Sequence, residues 1–83
     1  MPDPHSILFA RPADKILYEK MMLDRGFERE FQECICNVAA ARAGKEFESE
    51  IAAAGARKFT VVFEGKRVKG NFTLHVSRLE ERS

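Results

Sequence analysis

Residues 58–78 read KFTVVFEGKRVKGNFTLHVSR, and this stretch decides the fold. Large apolar residues occupy every second position of its two arms: Phe59, Val61, Phe63, Phe72, Leu74 and Val76. Alternation with a period of two is typical of strands that bury one face, and the glycines between the arms indicate a chain reversal. The sequence therefore predicts a β-hairpin over residues 57–78, with a basic segment at its tip. Leu79 departs from the alternation, which predicts that the second strand ends near Ser77.

The alternation does not determine which residues form the loop of this hairpin. Loops of Gly65–Lys66, Gly65–Val68 and Gly65–Gly70 all keep the apolar residues of both arms on one face, because each changes the register by an even step. Hairpin loops usually contain two to five residues, which favours the two tighter alternatives. In all three, Lys66 and Arg67 lie at or beside the tip.

Helical patterns precede the hairpin. A first helix is expected to begin near Pro12, since proline suits the first helical turn, and to end at Asp24-Arg25-Gly26 with Gly26 as a left-handed cap. A second helix follows, because four apolar residues recur at steps of three or four: Phe27, Phe31, Ile35 and Val38. Upstream of Pro12, residues 7–10 predict a short strand, and residues 1–6 are expected to form a mobile leader.

The segment after Gly44 is interpreted as a third helix over residues 45–54. Phe47, Ile51 and Ala54 form a stripe that points away from the stripe of the second helix, so we expect a break at Gly44. The alternative is one unbroken long helix, which a central glycine would destabilise by only about 1 kcal/mol.

These elements predict a single small α+β domain over residues 1–83, with a helical part (12–54) and the hairpin (57–78). Two or three helices pack on one face of a small antiparallel sheet that the C-terminal hairpin dominates. The expected core is Ile16, Leu17, Met21, Phe27, Phe31, Ile35, Val38, Phe47, Ile51, Phe59, Val61, Phe63, Phe72, Leu74 and Val76.

Composition places the chain among ordinary globular proteins, with 45% hydrophobic and 33% charged residues in a length of 83. No apolar run approaches the roughly 20 residues of a membrane-spanning helix, so we expect no membrane partner. The N-terminal residues have no pattern of a secretory signal. A cytoplasmic location with reduced cysteines is therefore expected.

Cysteine and histidine offer little for catalysis or metal binding. Cys34 and Cys36 are two residues apart on a helix and point in different directions, and zinc needs four converging ligands. We expect Cys34 to pack beside the apolar stripe and Cys36 to be partly exposed. His5 lies in the leader, and His75 has no acid or nucleophile at a diagnostic spacing. The sequence therefore predicts no enzyme activity, no metal and no cofactor.

The net charge of +1 hides a strong local asymmetry. Residues 57–70 contain one acid, Glu64, and five cations: Lys66, Arg67, Lys69, Arg57 and Lys58. These five are the candidate partner-binding residues, because they could neutralise phosphates or an acidic protein surface. The alternative is that turns are polar and that lysines protect strand edges from mispairing.

The resulting hypothesis is a small, non-enzymatic intracellular binding protein. It would dock on a larger protein or ribonucleoprotein complex through the basic hairpin, in the manner of an inhibitor, and short phage-encoded inhibitors are comparable in size and general character. The alternatives are a nucleic-acid-binding protein that uses the same hairpin and a thiol-dependent enzyme that uses Cys34 or Cys36. An exposed sheet edge also makes a homodimer possible.

Overall fold

The computed structural model describes residues 6–82, which form a four-stranded sheet with helices on one face. The strands are β1 (Ser6–Phe9), β2 (Glu46–Ala53), β3 (Arg57–Val68) and β4 (Asn71–Arg82). The helices are α1 (Pro12–Met21), α2 (Arg25–Glu30) and α3 (Asn37–Ala41), and a π-helical segment (Phe31–Cys36) joins α2 to α3 without a break. The predicted α+β class with a C-terminal hairpin is confirmed. The predicted leader and His5 lie outside the described residues, except that Ser6 belongs to β1.

The order of strands across the sheet is β1-β4-β3-β2. The helical crossover starts β2 in the same direction as β1, as parallel crossovers do. Two hairpin reversals then bring β4 back in that direction, so β4 pairs in parallel with β1 and antiparallel with β3. The sheet is therefore mixed, and the prediction of a purely antiparallel sheet was wrong. The short strand expected before Pro12 is confirmed.

The hairpin turns at Lys69–Gly70, so all three predicted loops were wrong. Lys69 and Gly70 have φ angles of 51° and 81°, and two left-handed residues in a row form the two-residue turn that best matches the twist of the strands. Gly65 lies inside β3 instead, paired with Leu74. The apolar residues of both arms still share one face, as predicted, because the register again differs by an even step.

A β-bulge extends β4 beyond its predicted end. Phe63 pairs with Val76, but Val62 pairs with Arg78, so Ser77 is an extra residue opposite this step of β3. One extra residue reverses the parity of a strand, and Leu79 therefore returns to the core face, where it is fully buried. The expected end near Ser77 was wrong because the alternation is interrupted there without the strand ending.

The predicted third helix is strand β2. Phe47 and Ile51 are four residues apart, a spacing that fits a helix turn and also an even step along a strand. Glutamates at positions 46, 48 and 50 alternate with the half-buried and buried residues, and β2 pairs with β3 along its whole length. The predicted break at Gly44 is present, with a φ of 89° at this residue.

Helix α1 turns a different face to the sheet from the one predicted. Asp14 is 3% exposed and Ile16 is 68% exposed, so the buried stripe runs through Asp14 instead of the more apolar Ile16. The Asp14 carboxylate accepts a hydrogen bond from the backbone N–H of Leu79 at 3.1 Å and pairs with Arg11 at 2.8 Å. β1 ends opposite Val76, so Asp14 occupies the place where β1 would otherwise satisfy the edge of β4.

The link between α1 and α2 also differs from the prediction. Gly26 lies inside α2 and has no left-handed conformation, so it does not cap α1. Asp24 instead begins α2, since its carboxylate accepts a hydrogen bond from Phe27 N at 3.1 Å. The same carboxylate accepts one from Ala54 N at 3.0 Å, which ties α2 to the turn between β2 and β3.

The π-helical segment explains two further differences. It winds more residues into each turn than an α-helix, so the buried face advances by one residue. Cys36 is consequently buried and Cys34 exposed, the reverse of the prediction. Val38 is exposed for the same reason, and Ala39 and Ala40 take its place in the core.

The other predicted core residues lie in the core or at its margin. Leu17 and Phe47 are partly buried against it. The buried members that were predicted are Met21, Phe27, Phe31, Ile35, Ile51, Phe59, Val61, Phe63, Phe72, Leu74 and Val76. The face of the sheet opposite the helices carries none of these residues, and we call it the open face.

Candidate docking surface

The hairpin tip reaches past strand β2. The last pair between β2 and β3 joins Glu46 to Glu64, so residues 65–68 of β3 extend beyond β2. On the other side, the first described pair between β1 and β4 joins Ser6 to Thr73. Lys66 and Lys69 are exposed on this extension.

Arg67 has a structural contact at the tip. Its guanidinium donates a hydrogen bond from Nη2 to the carbonyl oxygen of Ala40 at 2.8 Å, where α3 ends with unsatisfied carbonyls. A cation at a helix C-terminus is also favoured by the helix dipole. Arg67 therefore fastens the tip to the helical layer while its side chain carries positive charge to that end of the molecule.

Gly65 brings the tip and α3 into backbone contact. A Cβ atom at this position would lie 2.5 Å from the carbonyl oxygen of Ala39 and 2.7 Å from Cε1 of Phe72. The Gly65 carbonyl accepts a hydrogen bond from Gly44 N at 2.7 Å. The loop after α3 is therefore held directly beside β3.

That loop contributes two cations that the sequence reasoning missed, Arg42 and Lys45. Lys45 directly precedes β2, next to the pair of Glu46 with Glu64, and the Arg42 guanidinium carbon lies 6.0 Å from the ring centroid of Phe47. Recognition of β2 as a strand would have placed both beside the hairpin. We call the resulting set the basic tip: Arg42, Lys45, Lys66, Arg67 and Lys69.

The other two predicted residues, Arg57 and Lys58, lie at the opposite end of β3. Eleven steps of about 3.3 Å separate Arg57 from Val68, so the two ends of the strand are roughly 35 Å apart. Arg57 pairs with Glu81 through two hydrogen bonds of 2.8 and 2.9 Å, and Lys58 lies 3.8 Å from Glu50. The structure therefore does not bring all five predicted cations together.

Further ion pairs cover the open face at this end. Arg82 lies 2.7 Å from Glu50, Arg78 lies 3.4 Å from Glu48, and Arg78 also lies 3.7 Å from Glu80. We call the set the ionic base: Glu48, Glu50, Arg57, Lys58, Arg78, Glu80, Glu81 and Arg82. By contrast, no member of the basic tip forms an ion pair with any residue between 6 and 82.

The pKa shifts are concentrated near the ionic base. Hydrogen bonding to Arg57 lowers the pKa of the Glu81 carboxyl, and the same pair raises the pKa of Arg57. Hydrogen bonds from the backbone N–H groups of Phe27 and Ala54 lower the pKa of Asp24. In each case the interaction stabilises the charged form.

Two of the depressions on the open face differ in their lining. One has a volume of about 490 Å³ and is lined by members of the ionic base together with Thr60. The other has a volume of about 230 Å³ and lies between β1, β4 and β3, with Leu8, Glu64, Lys66 and His75 among its lining residues. We call the second one the open-face groove.

Strand β2 forms one edge of the sheet, and side chains of α2 and of its N-cap occupy the end of that edge beside the turn to β3. The outward N–H groups of Ala52 and Ala54 donate to the carboxylates of Glu30 at 3.3 Å and Asp24 at 3.0 Å. The remaining outward backbone groups of β2 belong to Glu46, Glu48 and Glu50. The charges of these glutamates would repel the same edge of a second copy. The homodimer expected from an exposed edge stays a prediction.

No arrangement typical of metal binding or of a membrane span is present in the described part of the chain. Within residues 6–82, no three His, Cys, Asp or Glu side chains converge as metal ligands. Over the same residues, no helix has the length and apolar character to cross a membrane. His75 lies opposite Glu64 in the register of β3 and β4.

Comparison of the chain with family models, with curated proteins and with solved structures found no match. Functional inference therefore rests on the geometry and charge of the basic tip, the ionic base and the open face.

Proposed function

We propose that this chain is a non-enzymatic binding protein that docks its basic tip on an acidic surface of a larger protein or ribonucleoprotein complex. The observation that supports the proposal is the absence of ion pairs at the basic tip within residues 6–82, in a chain whose other end is densely paired. Such a protein acts by occupying a surface, as inhibitors of the short phage-encoded type do. Its cytoplasmic location stays a prediction.

The charge distribution favours a directed contact. Paired charges at the ionic base cancel over short distances, whereas the acids that the strand register places beside the five cations of the basic tip are Glu46 and Glu64. A local field of one sign accelerates encounter with a surface of opposite sign, and salt weakens this effect. With a formal net charge of only +1, the chain as a whole has little excess positive charge, so attraction of an acidic partner depends on the local charge of the basic tip.

A nucleic-acid partner is the competing hypothesis, and the open face offers little for it. Proteins that bind single-stranded RNA stack bases on several aromatic side chains, and the corresponding described positions here hold no Phe, Tyr or Trp but Thr60, Val62, Thr73, His75 and Arg78. Phosphate contacts alone would depend steeply on salt, with a slope set by the number of cations engaged.

The test compares polyanions of different chemistry in a salt series. Labelled poly-L-glutamate, polyuridylate and random-sequence duplex DNA are titrated with the purified protein. We expect binding of poly-L-glutamate that weakens about tenfold in Lys66→Glu/Lys69→Glu, since reversing two exposed charges changes the interaction by roughly 1–2 kcal/mol. Arg67 is left unchanged because it also contacts Ala40.

The matched control is Lys15→Glu/Arg25→Glu, which makes the same change in net charge on the exposed side of α1 and α2. It should bind poly-L-glutamate nearly as well as the unaltered protein. Equal losses in both variants would mean that net charge alone determines binding, and the proposal would be wrong. Tighter binding of either nucleic acid, with a slope of log K against log salt near −4, would establish the competing hypothesis instead.

A further inference from the structure

The open face differs sharply in character between its two halves. Near the ionic base, its long side chains pair with one another across β2, β3 and β4. Near the basic tip, two apolar side chains project into solvent, Leu8 at 52% exposed and Val68 at 61% exposed. Between them on β3 and β4 lie Lys66 and Thr73, which form a cross-strand pair.

The open-face groove provides room for one side chain. Its volume of about 230 Å³ is below the range of about 300–1,000 Å³ that is usual for small-molecule sites. Leu8 contributes an apolar wall on one side and Lys66 a cation on the other. A single aromatic or branched side chain next to an acidic residue has the size and chemistry to fill it.

We propose that this half of the open face binds an acidic polypeptide segment that carries an apolar anchor, with the anchor in the open-face groove and the acidic residues against Lys66 and Lys69. The inference rests on the proposed function and adds the feature that would select one acidic segment over another. Charge complementarity supports a polypeptide of this kind, because Lys66 and Lys69 have no carboxylate partner within residues 6–82.

The larger depression is the less suitable site for an acidic segment. Its cations Arg78 and Arg82 are already paired with Glu48 and Glu50, at 3.4 and 2.7 Å. A new anionic partner would have to replace these contacts, and exchange of one exposed ion pair for another changes the free energy little. In the open-face groove, Lys66 has no ion pair within residues 6–82 that a new partner would have to replace, and Glu64 also lines this groove.

The experiment compares poly-L-glutamate with a random copolymer of glutamate and a minor fraction of tyrosine. Both are titrated into the isotope-labelled protein, and backbone amide shifts are followed by NMR. We expect the copolymer to bind about tenfold more tightly per site, because partial burial of one anchor contributes on that order. The largest shifts should fall at residues 6–8, 64–69 and 71–75.

Two variants separate this inference from the proposed function. Leu8→Thr, which keeps a residue suited to a strand, should remove the preference for the copolymer and leave binding of poly-L-glutamate unchanged. Leu23→Thr is the matched control, since Leu23 is 87% exposed between α1 and α2, and it should leave both affinities unchanged.

Each other outcome is decisive. If Leu8→Thr retains the full preference, the anchor site is wrong while the proposed function stands. If the shifts fall on the ionic base, the anchor site and the proposed function are both wrong. If Lys66→Glu/Lys69→Glu binds both polymers as the unaltered protein does, the proposed function fails and the inference fails with it. If polyuridylate binds with higher affinity than the copolymer and shifts the same amide signals, this face binds nucleic acid.

Discussion

The two ends of the β3–β4 hairpin contain similar numbers of cations and use them in opposite ways. At the ionic base, Arg57, Lys58, Arg78 and Arg82 each lie within ion-pair distance of a glutamate. At the basic tip, Lys66 and Lys69 have no such partner among residues 6–82, and Arg67 contacts a backbone carbonyl. The comparison teaches that the density of charge along a sequence does not give its availability, which depends on the strands that fold beside it.

We expect the greatest loss of stability from a substitution that breaks the attachment of the tip to the helices. Gly65→Ala places a Cβ atom 2.5 Å from a backbone oxygen of α3, which cannot move aside as a side chain could. We expect the free energy of unfolding to fall by about 3 kcal/mol, the upper part of the range for overpacked positions. Urea denaturation measures this change.

Gly70→Ala is the control for that measurement. Its Cβ atom would meet open space, but the φ of 81° is unfavourable for alanine, so a loss of about 1–2 kcal/mol is expected. Equal losses at the two positions would mean that close packing of α3 against Gly65 is not what limits substitution there.

The next effect concerns the other end of the molecule, where Asp14 satisfies the edge of β4. Asp14→Ala leaves the buried N–H of Leu79 without a partner, and a loss of about 1–3 kcal/mol in the free energy of unfolding is expected. Asp14→Asn retains a carbonyl oxygen that can accept this hydrogen bond and should lose less. The idea fails if the two variants are equally destabilised in thermal or urea denaturation.

A smaller effect is the response to acid near the ionic base. The folded-state pKa values of Asp24 and Glu81 are lowered, so their contribution to stability is fully present above the unfolded values of about 4. It is lost as the pH falls through the lower, folded values. Unfolding measured between neutral pH and strongly acidic pH should show a decline below pH of about 4, and Asp24→Asn should make that decline shallower. An unchanged slope in this variant would contradict the assignment.

The smallest effect tests the ion pairs directly. Arg82→Ala removes an exposed pair and should lower the free energy of unfolding by at most about 1 kcal/mol, with the loss shrinking as salt is added. Lys66→Ala removes a cation without a carboxylate partner within residues 6–82 and should leave stability unchanged at every salt concentration. A salt-dependent loss for Lys66→Ala would show that the tip is paired in solution and would erase the contrast between the two ends.

How far the sequence predicted this molecule depends on which interactions each pattern reports. The sequence correctly predicted that Phe59 and Phe72 lie on the same face of the sheet, because strict alternation of apolar residues has one interpretation. Strand β2 was missed because the spacing of Phe47 and Ile51 fits both a helix and a strand. The burial of Leu79 was not predicted because a bulge at Ser77 shifts the alternation by one residue. Serine has no local property that indicates a bulge.

The candidate site was predicted in part for a related reason. Lys66, Arg67 and Lys69 lie within four positions of one another, so prediction of the hairpin was sufficient to place them together at its tip. Arg42 and Lys45 join them through the contact of Gly44 with Gly65, which is a long-range feature of the fold. The separation of Arg57 and Lys58 from the tip, and their pairing with Glu81 and Glu50, likewise required the arrangement of neighbouring strands.

The parallel pairing of β1 with β4 also bears on how quickly the chain reaches its native state. Ser6 and Thr73, which are in contact across these strands, are 67 positions apart in the sequence. Closing so long a loop is entropically costly, and folding slows as the mean separation of contacting residues increases. We expect the β3–β4 hairpin, which closes through two residues, to form early and β1 to dock after the folding barrier, so that substitutions in β1 accelerate unfolding and leave the folding rate nearly unchanged.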